Sequence, residues 1–159
     1  MTVNPLSPSQ TRKAGDPAYG SSQLAYDDAT YLSGSGIPKR ETVLAFLFGA
    51  ITSTPDQTRP LPVMIQATTG GFFRMFDVPF RYGGPWNAAA DRGPEPVMVL
   101  SHRENAKLFG GTDSVGRTLL WSGHRFRIVG VLAPWHPLPR FYDLSAGDGG
   151  PFGRSADAF

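Results

Sequence analysis

Cysteine is absent from the 159-residue sequence, which excludes disulfide scaffolds, cysteine-ligated zinc and thiol catalysis. Long apolar runs are absent too: the longest covers residues 43–51, whereas a helix needs about 20 residues to span a bilayer. Charged residues make up only 18% of the chain, and a net charge of +2 without a basic stripe does not suggest nucleic-acid binding. The first residues show no basic stretch followed by an apolar one, so no signal peptide is expected.

The common catalytic motifs are missing as well. The sequence contains no nucleophile elbow G-x-S-x-G, no H-E-x-x-H pair and no phosphate-binding P-loop. Its three histidines, His102, His124 and His136, do not fall at metal-ligand spacing, so we expect no metal site and no cofactor. Ser101 precedes His102 directly, but side chains at adjacent positions of a helix start diverge, and Ser101 is better explained as a helix cap. No catalytic residue is therefore predicted.

Glycine and proline are abundant, with 19 and 15 residues, and favour short strands joined by many turns. Residues 1–23 have the composition of a loop, and a short helix is expected over residues 24–33. The β-branched and aromatic run over residues 41–53 predicts a strand buried on both faces. Residues 61–69 predict a second strand, which can pair with the first as a hairpin.

An aromatic stretch follows these strands. Residues 70–76 predict one or two helical turns, whose Phe72 and Phe73 are expected to pack in the core. Proline and glycine over residues 77–86 favour irregular structure, and residues 87–96 are interpreted as a polar connector.

The second half of the chain has clearer signals. Residues 97–100 predict a short buried strand, and Ser101 and Glu104 have the spacing of a capping box at the start of a helix. That helix is expected to end near Phe109, with Gly110 in the left-handed position that follows a helix. Further strands are predicted over residues 117–121 and 124–132, joined by a two-residue turn at Ser122 and Gly123, and no element is predicted from Ala133 onward.

These elements predict an α+β fold of short β-α-β pieces with a mixed sheet and β-hairpins, in one or two small lobes, followed by a long irregular C-terminal segment. We expect three parts: a loop-rich segment (1–23), a core domain (24–134) and a Pro/Gly-rich segment (135–159). Aromatic side chains in a loop are typical of interfaces. The candidate partner-binding residues are therefore Trp135, Phe141 and Tyr142.

Five motifs follow one another in a fixed order. They are FFRMFDVPF from Phe72, VMVLS at 97–101, LFGG at 108–111, VGRTL at 115–119 and FRIVGVL at 126–132. In this order they resemble the MacB-like periplasmic core domain of ABC transporter permeases, most closely over residues 62–134. Gly116 permits a tight turn, and Gly130 inside a strand indicates a bulge or a close backbone approach. The residues that carry the resemblance are signature residues of a fold: Phe72, Phe73, Ser101, Gly110, Gly116 and Gly130.

The resemblance implies a domain on the periplasmic face of the bacterial inner membrane, in the loop between the first two transmembrane helices of an export permease. It implies a non-catalytic chain that couples ATP hydrolysis in a separate cytoplasmic ATPase domain or subunit to movement in the periplasm. The implied partners are the rest of the permease, its ATPase and a periplasmic adaptor protein, with a homodimer in the parent transporter. The domain is expected to continue beyond Phe159, where a further strand would complete the sheet.

Two other functions fit the same residues. One is a stand-alone α+β binding domain, which a complete gene without flanking apolar segments of about 20 residues would favour. The other is a small hydrolase whose Asp or His side chains converge only in the fold, which a deep pocket with convergent polar groups would favour.

Overall fold

The described part of the chain forms a six-stranded mixed sheet with three short helices. The structure is a computed structural model and describes residues 31–32, 35–37, 40–52, 60–93, 95–137 and 155–159. This architecture confirms the predicted α+β fold. The elements in chain order are β1 (Leu44–Thr52), β2 (Leu61–Thr68), α1 (Gly71–Met75), β3 (Phe80–Gly83), α2 (Ala88–Arg92), β4 (Val97–Leu100), α3 (His102–Phe109), β5 (Thr118–Trp121) and β6 (His124–Leu132).

Strands β1 and β2 form the predicted hairpin, paired antiparallel from Leu44 opposite Thr68 to Ile51 opposite Leu61. The prediction that β1 is buried on both faces is wrong, because Phe48 is 72% exposed and Ile51 is the strand's one buried residue. On its other edge β1 pairs with β5 only at its last two residues. Within the described residues, most of β1 therefore pairs on one edge only, with β2, and an apolar run in the sequence cannot reveal this.

Strand β6 organises the rest of the sheet. Arg127 lies opposite Val97 of β4 and Thr118 of β5, so β4 and β5 occupy opposite edges of β6. Strand β4 runs parallel to β6, whereas β5 and then β3 pair antiparallel along the other edge. A Cβ atom on Gly130 would lie 2.6 Å from the carbonyl oxygen of Gly84 and 2.7 Å from the Phe80 ring. Only glycine therefore lets the chain around β3 approach β6 this closely.

The predictions for residues 77–96 are wrong at two places. Strand β3 lies where irregular structure was expected, and it ends at Gly83, whose φ of +60° favours glycine. Helix α2 lies in the expected connector, because Asn87 Oδ1 accepts hydrogen bonds from the N–H groups of Ala89 and Ala90 at 2.9 and 3.1 Å. An asparagine cap followed by three alanines starts a helix, and that local signal outweighs the polar composition of the stretch.

The last residues of the chain join the sheet. Ala158 bridges to Ile65 of β2 in parallel and to Leu100 of β4 antiparallel. The prediction that no element follows Ala133 is wrong for these residues. The strands therefore form a ring in the order β2, β1, β5, β6 and β4. Residues 155–159, which we call the terminal segment, lie between β4 and β2 and close this ring. Whether the domain continues beyond Phe159 stays a prediction.

Two hydrophobic clusters hold this arrangement together. The first takes members from every strand of the ring and from the terminal segment, among them Ile51, Ile65, Leu100, Ile128 and Ala158. The second, which we call the aromatic cluster, packs α1 against the ends of β4 and β6. Its buried members are Phe72, Phe73, Val78, Val99, Leu132, Ala156 and Phe159.

Some predicted features lie outside the described residues. Of the expected helix over 24–33, only Tyr31 and Leu32 are described, and both are helical. The expected loop over residues 1–23 is not among the described residues. The helices among the described residues are all too short or too polar to span a bilayer.

Candidate partner-binding site

The parallel pairing of β4 and β6 creates a site at one edge of the sheet. Because both strands point the same way, the residues that follow Leu100 and those that follow Leu132 come together. The terminal segment enters at the same edge, since it runs antiparallel to β4. These three segments line a cleft of about 290 Å³, which we call the Trp135 cleft. Crevices at the carboxyl ends of parallel strands are common ligand sites.

Helix α3 begins at this edge with a side-chain cap. Ser101 Oγ accepts a hydrogen bond from the Glu104 N–H at 3.1 Å, which confirms Ser101 as the N-cap. The second half of the expected capping box is not formed. The Ser101 N–H donates instead to the Asp157 carbonyl at 3.0 Å, and Glu104 Oε2 accepts from Lys107 Nζ at 2.9 Å. The Asp157 carbonyl of the terminal segment thus accepts the hydrogen bond from the Ser101 N–H, which in a complete capping box would go to the Glu104 side chain.

The other end of α3 agrees with the sequence prediction. Gly110 has a φ of +64° and donates its N–H to the last turn of the helix. Gly116, with a φ of +84°, donates its N–H to the Ile128 carbonyl at 2.8 Å. Both glycines occupy the left-handed region, which strongly favours this residue. These turns set the path by which the chain leaves α3 and returns through β5 to β6.

Asp157 anchors the terminal segment through both carboxylate oxygens. Its side chain is only 2% exposed, and Oδ1 pairs with Arg103 Nη2 from the first turn of α3. Oδ2 accepts a hydrogen bond from the Met64 N–H of β2 at 3.0 Å. One carboxylate therefore ties the terminal segment to elements on both sides of it.

Trp135 forms an aromatic wall of the cleft. It is partly buried and meets Phe72 edge to face, with ring centroids 6.1 Å apart at 87°. Phe72 is fully buried and Phe73 is 2% exposed, so both signature phenylalanines lie in the core as expected. Phe141 and Tyr142, the other two candidate partner-binding residues, lie outside the described residues. That Trp135 contacts a partner stays a prediction.

Basic side chains border the cleft. Arg103 and His102 line it from α3, and His136 lines it from the loop after β6. Arg81 Nη1 lies 3.2 Å from His102 Nε2, and since a guanidinium only donates, the histidine nitrogen accepts. His102 and His136 share this cleft although their spacing gave no sign of it. Among the residues that the structure describes, no three His, Cys, Asp or Glu side chains group to hold a metal ion.

Comparison with known proteins yields a family and a fold. The model of the MacB-like periplasmic core domain family matches residues 1–156. No curated protein matches the chain. The crystal structure of the periplasmic region of MacB from Actinobacillus actinomycetemcomitans superposes with a TM-score of 0.61 at 17% identity, over 70% of this chain and 51% of that chain. The extracellular domain of the noncanonic ABC-type transporter YknZ from Gram-positive bacteria gives 0.60 at 16% identity, over 70% and 58%. The chain thus spans about half the length of these two structures.

Proposed function

The chain belongs to the MacB-like periplasmic core domain family, and from this premise we propose that it is the partner-handling part of an export permease. It is a periplasmic domain of an ABC transporter permease, as its five ordered motifs predict. In the proposed function, ATP hydrolysed by a separate cytoplasmic ATPase domain or subunit drives movement of this domain at the inner membrane. The movement changes how the domain holds a periplasmic adaptor protein during efflux, and the parent transporter acts as a homodimer. The proposed function includes no catalytic step carried out by this chain.

The observation that carries the proposal is the Trp135 cleft. Tryptophan and arginine are the residues most enriched at the energetic centres of protein interfaces. Here Trp135 and Arg103 line one cleft at the edge where β4 and β6 both end. Trp135 rests on the aromatic cluster through Phe72, so a partner that presses on Trp135 also presses on the core. A contact of this kind is suited to a domain that both binds a partner and transmits force.

The test uses the parent permease together with its ATPase in a lipid bilayer, with ATP hydrolysis measured as the adaptor protein is titrated. Replacing Trp135 with Ala should raise the adaptor concentration for half-maximal stimulation about thirtyfold, the effect of losing one central interface residue. Hydrolysis without adaptor should stay unchanged. Phe48→Ala, which removes an aromatic ring that is 72% exposed on β1, is the matched control and should change neither value.

Because Trp135 is partly buried, its replacement could also disturb the core. His136→Ala, which truncates the exposed neighbour in the same cleft, is the second variant and should weaken stimulation without altering the circular-dichroism spectrum. If both folded variants respond to adaptor as the wild type does, the Trp135 cleft is not the partner site. If Trp135→Ala loses the circular-dichroism signature and His136→Ala behaves as wild type, Trp135 is a core residue.

A further inference from the structure

The terminal segment occupies a slot between two strands that do not pair with each other. Five main-chain hydrogen bonds hold it there: two to β4, one to Ser101 directly after β4, and two to β2. Val99 and Phe159 exchange both of their bonds, at 2.9 and 2.8 Å, and the Asp157 N–H donates to the Met64 carbonyl at 2.8 Å. Without the segment, β2 and β4 would present two facing edges of unpaired N–H and C=O groups, which is a template for another strand.

The slot also selects side chains. Ala158 is 0% exposed between Ile65 and Leu100, so a larger residue would find no room at this position. Asp157 is bound by Arg103 on one side and the Met64 N–H on the other. Phe159 stacks on Phe72 with ring centroids 5.5 Å apart at 29°. The slot therefore fits an extended strand with the pattern small, acidic, small, aromatic, which residues 156–159 provide.

We propose that this slot is an exchangeable strand-binding site, and that the terminal segment of a second copy of the chain can fill it to give a strand-exchanged dimer. The occupant is a second copy because the same sequence makes the same contacts in either chain. The inference does not depend on the proposed function, since it concerns only the slot and the segment.

The length of the connection permits the exchange. Residues 138–154 join Pro137 to the terminal segment, and they include Pro139, Gly147, Gly149, Pro151 and Gly153. Fully extended, these 17 residues reach up to about 60 Å, whereas a chain of this size has a radius of gyration of about 15 Å. Since the contacts are the same in both forms, the balance is set by concentration. Exchange should compete with closure at about 1 mM chain, the effective concentration of a short tether.

The absence of cysteine allows a direct test on the 159-residue chain. Leu100 and Ala158 face each other next to the hydrogen-bonded pair Val99 and Phe159, so their Cα atoms are expected about 4.5 Å apart, within disulfide range. Leu100→Cys and Ala158→Cys are made in separate chains, mixed unfolded in equal amounts at about 1 mM, refolded together and oxidised. Non-reducing electrophoresis should show a mixed disulfide dimer, about tenfold stronger than in any control.

The controls separate exchange from random collision. Leu100→Cys paired with Phe48→Cys, which places the thiol at a site 72% exposed on β1, measures collisional cross-linking. Mixing the two test chains after each has folded should give no dimer, because the segment is already bound. The proposal is overturned if the Leu100→Cys and Ala158→Cys pair gives no more dimer than the control pair. A double variant in one chain should close its disulfide internally when refolded dilute, which shows that the pair can form.

Because Leu100 is fully buried, its replacement could prevent folding, so the wild-type chain supplies a second measurement. It is refolded over a range of concentrations up to about 1 mM, diluted, and sized by light scattering. The dimer fraction should rise with the refolding concentration and persist after dilution. Monomer at every concentration would overturn the proposal. Ala158→Asp, which places a charge at the buried position, should abolish the dimer without creating another one.

Discussion

Phe159, the last residue of the chain, stacks on Phe72 at the start of α1, with ring centroids 5.5 Å apart. It also meets Phe73 edge to face at 5.7 Å, and is only 7% exposed. Phe159 thus contributes an aromatic ring to the core, so the stability of the whole domain depends on the terminal segment.

The first prediction concerns this ring. Phe159→Ala removes a nearly buried aromatic side chain and leaves a cavity beside Phe72, so the free energy of unfolding should fall by about 3 kcal/mol. Phe48→Ala is the matched control, because Phe48 is 72% exposed, and it should change stability by less than about 0.5 kcal/mol. Urea denaturation followed by circular dichroism measures both. Equal midpoints for the two variants would show that Phe159 does not pack in the core.

The second prediction concerns the ion pair of Arg103 with Asp157. Arg103→Ala leaves the buried Asp157 carboxylate with only the Met64 N–H as a partner, so it should lower the free energy of unfolding by about 2 kcal/mol. Half of the Arg103 side chain is exposed, which keeps the loss below that of a fully buried pair.

Arg127→Ala is the comparison for this pair. Arg127 and Glu95 are 3.8 Å apart and both 56% exposed, so breaking their contact should cost less than about 0.5 kcal/mol. Denaturation of both variants at low and high salt measures the difference. If Arg103→Ala is no more destabilising than Arg127→Ala, the ion pair of Arg103 with Asp157 does not stabilise the folded state as predicted.

Local signals made much of the second half predictable from the sequence. The serine cap of α3, Gly110 after it, and the turn at Ser122 and Gly123 each depend on residues within a few positions of one another. Strand β6 was predicted with its observed bounds for the same reason. A cap, turn or strand that neighbouring residues determine can be recognised in the sequence.

The candidate site was less predictable, because long-range pairing creates it. Nothing in the sequence spacing shows that β4 pairs parallel to β6, and that pairing is what brings His102 and His136 to one cleft. The terminal segment pairs through too few residues to show a strand periodicity, so its place between β2 and β4 had no sequence signal. The sequence indicates Trp135 only as an aromatic residue in a loop, whereas in the structure its ring packs edge to face with Phe72.

The third prediction concerns the close approach at Gly130. A Cβ there would lie 2.6 Å from the Gly84 carbonyl oxygen, a main-chain atom that cannot move without shifting the loop after β3. Gly130→Ala should therefore cost about 2 kcal/mol of unfolding free energy and loosen β3, seen as faster amide hydrogen exchange over residues 80–83. Gly84→Ala is the matched control, because no atom lies within 4 Å of its would-be Cβ. Similar exchange in the two variants would contradict the close approach.

The last prediction concerns the cap of α3, which positions His102 and Arg103 in the cleft. Ser101→Ala removes the acceptor for the Glu104 N–H and should lower the free energy of unfolding by about 1 kcal/mol. Ser101→Thr keeps the hydroxyl and should retain most of that stability. Because the Ser101 N–H donates to the Asp157 carbonyl in every variant, the comparison isolates the side-chain cap from the main-chain contact with the terminal segment. Chemical denaturation gives the stabilities, and alanine and threonine variants of equal stability would mean that the hydroxyl does not cap the helix.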